Sequence, residues 1–342
     1  MKRKGIHQLA GNDRLGWAIM GTETIATEHM VSAIRSIGHQ PLWVVSRNAH
    51  YAGTFAGDLG IPNATDDLER VWADREVRFV YVSATRERRS FHIAAAAEAG
   101  KHILCDGPIS NEREEAARLV ALCHDLKVTL AVHHIARASS VHQTMKRLIR
   151  EGDIGQIHSI VVARGGAFHP SPNRRGQLAN LEGDIFFDAA IEDIDLVRFL
   201  TDAEPRRAIG ISKQVGGGPQ HLAFILAMDD GCIFQAHESF LTAEIEDTVM
   251  IAGSKGSLTA SGTLYGRGSG TLTRRIGGKN ELIPIRDKDV HVAAIQDFVT
   301  GLHGRPTWLS TGADSVANLA AINSIITSIR SGDVDIQQLG TA

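Results

Sequence analysis

The stretch Leu15-Gly16-Trp17-Ala18-Ile19-Met20-Gly21-Thr22-Glu23-Thr24-Ile25-Ala26 decides how this chain is read. Its first six residues are a short apolar run of the kind that forms a buried strand. From Thr24 to Ile37 the apolar residues Ile25, Met30, Ala33 and Ile34 recur at helical spacing. Strand, tight turn and helix in that order are the context of a G-x-G-x-x-G/A fingerprint, whose turn receives a dinucleotide pyrophosphate at the helix N-terminus. Gly21 supplies the first glycine and Ala26 the closing small residue, with Thr22, Thr24 and Ile25 completing the turn. Glu23 stands where a second glycine lets the pyrophosphate approach the backbone. Two readings of its carboxylate are open. Either it fills the anion site itself, opposing each phosphate charge by about 3 kcal/mol at ~5 Å and an effective dielectric of roughly 20, or it turns to solvent and leaves a modestly weakened site.

Outward from this turn the first part of the chain alternates strands and helices. Apolar runs at 42–45, 79–82, 102–105 and 128–132 are separated by helical stretches, the clearest at 112–126 with Ser110 or Asn111 as N-cap. Alternation of this kind predicts a doubly wound parallel sheet that takes its ligand at the carboxyl ends of the strands. After a helix at 140–151, closed by Gly152 and Gly155, strands dominate: 157–163, 221–228, 232–238, 247–252 and 257–261. Asp229-Asp230-Gly231 marks a hairpin. Helices at 188–200 and 316–329 interrupt and close this part. The expected fold is thus α/β followed by α+β: a Rossmann domain at 15–135, then at 136–332 an open, mostly antiparallel sheet with helices on one face. The closing helix, 313–331, is expected to pack back near the first domain.

With 342 residues the chain exceeds one ordinary core, and 43% hydrophobic and 22% charged residues fit a soluble globular protein. A net charge of -3 provides no basic field, so nucleic acid is not an expected partner. Cys105, Cys123 and Cys232 are widely spaced thiols suited to a reducing compartment. No apolar stretch is long enough for a membrane span, and the polar, basic residues 1–14 lead into no signal-peptide core, so a cytoplasmic protein is expected.

Three further runs follow one another in order: Glu98-Ala99-Gly100-Lys101-His102-Ile103-Leu104-Cys105, Gly253-Ser254-Lys255-Gly256-Ser257-Leu258, and a tail from Gly304-Arg305-Pro306 to Thr311-Gly312-Ala313-Asp314. On these the chain resembles the Gfo/Idh/MocA family of NAD(P)-dependent dehydrogenases from about residue 15 to residue 332. The resemblance implies hydride transfer at a CH–OH group of a small sugar or polyol, and a homodimer or homotetramer. It also implies where the site lies. Asp106-Gly107-Pro108 matches the family's Glu-Lys-Pro, without the lysine that holds the substrate hydroxyl. Asp188-Ala189-Ala190-Ile191-Glu192-Asp193-Ile194-Asp195 matches its D-x-G-x-H-x-x-D helix, with Glu192 in place of the acid/base histidine. His133-His134-Ile135-Ala136-Arg137 stands for G-H-N-x-R, and Ala84-Thr85-Arg86 for T-P-N.

This resemblance implies the candidate site residues, which the chemistry of each then qualifies. Glu192, Asp188 and Asp106 are the candidate catalytic groups, and His134 and Arg137 join Asp188 and Glu192 as substrate contacts. Gly21 to Ile25, Ala84, Thr85 and Asp106-Gly107-Pro108 are candidate cofactor contacts. Ser46 and Arg47 end the second strand with no carboxylate for an adenine ribose, which favours NADP over NAD, or else leaves Arg47 an ordinary surface residue. Asp188 and Glu192, four apart, share one helix face and repel unless a proton, cation or hydroxyl compensates; the bland alternative is a solvated acidic helix. Arg86, Arg88 and Arg89 are read as an exposed first helical turn, with carboxylate or phosphate binding as the alternative. His133, His134, His169, His221 and His237 have no compact ligand spacing, and no metal is expected. The runs 216–218 and 266–270 read as turns. Two other functions stay open: a catalytically silent ligand-binding or regulatory relative, and a lyase or hydrolase on the same scaffold.

Overall fold

Residues 15–22, 25–166, 184–215, 218–242, 244–264 and 270–331 are described by the computed structural model. They divide into two units. One holds the residues through Ser139 and Lys288–Val316; the other runs from Ser140 to Asp287 and resumes at Ala317.

The first unit winds β1 (Gly16–Met20), α1 (Ile25–Ser36), β2 (Gln40–Val45), α2 (Ala49–Leu59), β3 (Asn63–Thr65), α3 (Leu68–Trp72), β4 (Val77–Val82), α4 (Arg86–Glu98), β5 (His102–Asp106), α5 (Arg113–Asp125), β6 (Leu130–His133) and α6 (Ile135–Ala138). β6, β5, β4, β1, β2 and β3 lie in that order as a parallel sheet. This is the doubly wound arrangement that the strand and helix alternation predicts, its order reversing beside β1. Gly100 ends α4, and buried Lys101 donates to the carbonyls of Asp74 and Val77. The Glu98–Cys105 run is therefore structural: it ties a helix end to the edge from which β4 starts.

The second unit opens with α7 (Ser140–Arg150) and β7 (Ile157–Gly165). A π-turn at Phe186–Ala190 then leads into α8 (Ile191–Thr201). β8 (Pro205–Val215), β9 (Gly218–Met228), β10 (Ile233–Ser239), β11 (Thr248–Gly253), β12 (Gly256–Ser261), β13 (Thr271–Ile276) and β14 (Lys279–Ile283) complete an eight-stranded sheet ordered β14-β13-β12-β11-β7-β10-β9-β8. Every pair in it is antiparallel except β7 with β10. The Ser254-Lys255 turn docks on the turn after α7, with Lys255 N donating to Ile154 O and Ser254 N to Gln156 O. Two motifs a hundred residues apart in sequence thereby explain each other. β8, β13 and β14 were not among the expected strands: each mixes charged and apolar residues on a half-exposed ladder, which blurs the alternation.

The chain then runs through α9 (Val290–Leu302), β15 (Ser310–Thr311) and α10 (Gly312–Ser331). A single boundary at residue 136 assigns α9 to the second domain, but its Ala294, Ile295 and Phe298 are buried in the core of the first. Phe298 packs 5.7 Å from Trp17 and 5.8 Å, edge-on, from Phe79. Burying such a ring contributes roughly 1.5–3 kcal/mol, enough to decide which sheet a late helix joins. α10 divides at Val316: its first residues belong to the first unit, and from Ala317 on it belongs to the second, where Ile325 and Ile329 fill the space over Gly210 of β8.

Candidate active site

The β1–α1 turn is built for close approach. Gly21 has φ 108°, donates its N–H to Val45 O at 2.9 Å, and lies against Ser83 and Ala84, where a side-chain carbon would meet backbone atoms at 2.8 Å. No L side chain fits that space and conformation. Thr22 Oγ1 reaches Ser46 Oγ at 3.5 Å, linking the turn to the end of β2. α1 starts at Ile25, so its N-terminal amides follow directly. Glu23 and Thr24 lie outside the described residues, so neither reading of the Glu23 carboxylate is decided. The positions that are described fit a dinucleotide: a glycine turn, a helix N-terminus, and Ser46 with exposed Arg47 where a carboxylate would disfavour a 2′-phosphate. Ala84 is buried, and exposed Thr85 occupies the N-cap position of α4 without a side-chain capping bond.

At the carboxyl end of β5, Asp106 gathers donors from the neighbouring strands. Tyr81 O–H donates to its Oδ1 at 2.6 Å and Ser83 Oγ to its Oδ2 at 2.8 Å, while His133 Nδ1 stands 3.7 Å from Oδ1. Thr27 of α1 in turn donates to Ser83 at 3.0 Å. Burial works to raise the Asp106 pKa, but the His133 imidazole, the Arg89 charge and the Tyr81 donor outweigh it and hold the carboxyl below its ordinary range. Burial first, then the Asp106 charge, pushes Tyr81 well above its ordinary value, so it remains a donor. His133 is also 5.5 Å from the ring of His291, whose pKa burial lowers to about 4, and His29 stacks on His291 as well. Asp106 is therefore an ionised acceptor locked into strand-end hydrogen bonds.

The following residues are clasped from two sides. Arg89 is not on an exposed turn, contrary to expectation. Its buried guanidinium donates to Gly107 O at 2.6 Å, Pro108 O at 2.9 Å and Ala84 O at 3.1 Å, while Arg86 and Arg88 stay half-exposed. On the other side the ring of buried His134 covers Gly107. A side-chain carbon there would fall 2.7 and 2.8 Å from Nδ1 and Nε2 and closer still to Cε1. Arg137, expected as a substrate contact, is buried with Nη1 3.3 Å from Trp308 O and Nη2 3.7 Å from Asp314.

In the second unit the helix carrying Asp188 and Glu192 departs from the expected geometry. Asp188 lies in the π-turn and Glu192 in the first turn of α8, so the helix does not run in unbroken α form between them. Asp188 accepts from Asp184 N at 2.8 Å, fixing the helix start. Glu192 is half-buried beside Asp193. The solvated acidic helix is overturned: Asp193 and Asp195 are fully buried. Asp193 pairs with buried Arg164, Glu238 faces both from β10, and Asp195 accepts from Asn318 at 2.8 Å. Arg198 bridges Asn318 and Glu204. Helical periodicity gave no sign of this buried network, because its partners come from β7, β10 and α10.

Among the described residues no three His, Cys, Asp or Glu side chains form a metal-ligand group, and no helix is long and apolar enough to cross a membrane. His221 and His237 meet ring to ring at 4.7 Å. His169, residues 216–217 and residues 265–269 lie outside the described residues.

Comparison with known proteins agrees with this architecture. The family description "Oxidoreductase family, NAD-binding Rossmann fold" matches residues 15–134, and "GFO/IDH/MocA C-terminal domain" matches residues 142–259. The chain is 28% identical over 325 residues to a 1,5-anhydro-D-fructose reductase of Ensifer adhaerens, spanning 92% of this chain and 96% of the reductase. An aldose-aldose oxidoreductase from Caulobacter crescentus, solved with glycerol, superposes with a TM-score of 0.83 at 20% identity, covering 94% of this chain and 99% of its own. Levoglucosan dehydrogenase, solved with NADH and levoglucosan, gives 0.81 at 18% identity, covering 93% and 97%. The two structural likenesses show the fold. With the nucleotide-binding and C-terminal family domains matched in order along one chain, this protein belongs to the Gfo/Idh/MocA family of NAD(P)-dependent oxidoreductases.

Proposed function

We propose that the protein transfers hydride between a CH–OH carbon of a small sugar or polyol and NADP, with NAD the weaker cofactor. The observation that carries this reading is the β1–α1 connection, where Gly21 at φ 108° closes β1 and the chain enters α1 at Ile25. The names of the relatives, an anhydrofructose reductase and an aldose-aldose oxidoreductase among them, support the substrate class. The end of β2 supports NADP, because Ser46 and Arg47 offer a hydroxyl and a cation in place of a carboxylate.

A nicotinamide cofactor supplies the hydride acceptor or donor. The protein's own part is binding, orientation and proton handling. Gly21, Thr22 and the α1 amides receive the pyrophosphate. Asp106, already ionised, acts as a fixed acceptor that orients rather than exchanges protons. Glu192 takes the hydroxyl proton: in the oxidising direction the C–H pair leaves as hydride, the O–H bond breaks towards the Glu192 carboxylate, and a C=O bond forms. Asp188 sets the start of the helix that carries Glu192.

The sheet of the second unit supports a homo-oligomer. Ile209 and Ile225 are cross-strand partners, and with Ile211 and Ile233 they stand 64%, 44%, 60% and 52% exposed on one face. Apolar surface of this kind on a folded domain marks an interface. A second copy of the chain covers it in this proposal, and Ile225→Lys shifts the mass measured by light scattering to that of the monomer.

The test is titration of NADPH and NADH by fluorescence, followed by a panel of sugars and polyols assayed by nicotinamide absorbance. Micromolar NADPH binding and absorbance-linked turnover are expected. Turnover without absorbance change indicates lyase or hydrolase chemistry instead. Absence of cofactor binding, relieved tenfold or more by Glu23→Gly (about 1.4 kcal/mol), shows Glu23 filling the anion site.

A further inference from the structure

The Asp106-Gly107-Pro108 turn carries no cation of its own, yet it lies against one. Arg89 reaches it from the first turn of α4 and donates to the Gly107 and Pro108 carbonyls and to Ala84 O. These three bonds leave the guanidinium little freedom, and its charge is among the influences acting on the Asp106 carboxylate. The opposite side of the turn is closed by His134, the N-cap residue of α6, whose ring takes the volume a side chain on residue 107 would need. Gly107 has no left-handed φ to explain its glycine. Its lack of a side chain answers to space alone, and the carbonyls held by Arg89 prevent the backbone from yielding.

We propose that Arg89 is the resident cation of this site and that Arg89 and His134 together clamp the Asp106–Pro108 turn, so that residues 89, 107 and 134 form one coupled positioning unit. Arg89 acts through the turn: it sets the position and charge state of Asp106, and His134 excludes any side chain at residue 107. The positive charge that the Glu-Lys-Pro pattern places on residue 107, in the turn after β5, is delivered here from α4. A lysine restored at 107 meets the ring of His134 and therefore adds nothing while that ring remains.

The kinetic part of this proposal rests on the oxidoreductase reading; its structural part does not. Four variants test it: Arg89→Lys, Arg89→Gln, Gly107→Lys and Gly107→Lys/His134→Ala. Each is measured by thermal unfolding, by the pH dependence of NADPH binding, and by NMR titration of carboxyl-labelled aspartate in the cofactor-free protein. Arg89→Gln is expected to raise the Asp106 titration by roughly one pH unit or more, the low end of what a neighbouring cation does to a carboxylate. The acid limb of NADPH binding moves with it. Arg89→Lys keeps the charge, so it keeps the titration while losing stability with the forked hydrogen bonds. Gly107→Lys alone melts early, and adding His134→Ala recovers most of the loss.

Equal Asp106 titrations in wild type and Arg89→Gln overturn the role of the charge. A Gly107→Lys protein as stable as wild type, with no coupling to position 134, overturns the clamp. If Arg89→Gln does not fold, the contrast between Arg89→Lys and wild type and the 107/134 cycle still decide the matter. Failure of NADPH to bind any variant sinks the oxidoreductase reading but leaves the aspartate titration and the melting cycle to judge the clamp.

Discussion

Replacing Glu238 by glutamine should make the protein more stable at alkaline pH, although the change touches a fully buried residue. Glu238 and Arg164 are cross-strand neighbours on β10 and β7, Asp193 of α8 pairs with Arg164, and the two carboxyl side chains have no solvent exposure. Two carboxylates share one guanidinium in a dry interior, so full ionisation leaves an uncompensated negative charge. Burial, followed by the Asp193 charge, raises the Glu238 pKa well above its ordinary value; burial is also the main cause that lifts Asp193 to about 6.

The sign follows from these directions. A carboxyl whose pKa is higher in the folded state contributes its full stability below the unfolded value, near 4, and loses it as pH rises towards the folded value. For Asp193 alone, lifted from near 4 to about 6, at ~1.4 kcal/mol per unit, the loss is on the order of 3 kcal/mol; Glu238 adds to it in the same direction. Glu238→Gln keeps the shape, removes one charge and supplies an N–H donor to Asp193. Wild-type stability should fall as pH rises above about 4, through the Asp193 value of about 6 and on towards the raised Glu238 value, while the variant falls less. The gap should reach several degrees of Tm, at roughly 2–4 °C per kcal/mol for a domain of this size. Thermal unfolding by circular dichroism at stepped pH reads this directly. Parallel pH curves for the two proteins would refute the reasoning, since a purely structural role lowers stability equally at every pH.

Other outcomes follow from the same structure. Phe298→Ala should cost about 3–5 kcal/mol in urea unfolding of the first unit, because α9 completes its core; a cost below about 1 kcal/mol would detach α9 from it. Arg47→Asp should move preference from NADPH to NADH, with NADPH weakened by about 1.5–3 kcal/mol, roughly ten- to a hundredfold, as read by fluorescence titration. Equal loss of both cofactors would argue against a 2′-phosphate contact. Tyr81→Phe removes the 2.6 Å donor to Asp106, so the acid limb of NADPH binding should move to higher pH. An unmoved limb would show that Tyr81 serves packing alone.

Much of the scaffold was readable because its signals are local. The apolar run at Gly16–Met20, the glycine after it and the periodicity of α1 are adjacent in the chain, so their physics needs no distant partner. The hairpin at Gly231 was equally plain, with φ 86° at the position the turn demands. Where signals weakened, the structure differed. β8, β13 and β14 carry too many charges for clean alternation, and the π-turn at Phe186–Ala190 inserts a register change that composition does not announce.

The site divides along the same line. By itself the sequence nominated a ligand site: Gly21 through its strand–turn–helix context, and Asp106 and Glu192 through what the family resemblance implies. It also exposed the missing cation at Gly107. Only the tertiary structure decided that Arg89 is buried against that turn, that His134 covers Gly107, that Asp193 and Glu238 share one arginine, and that α9 belongs to the first core. The physical reason is common to all four. Burial and charge balance are properties of residues brought together from distant parts of the chain, and a one-dimensional pattern records a side chain's type but not the partner that gives it its role.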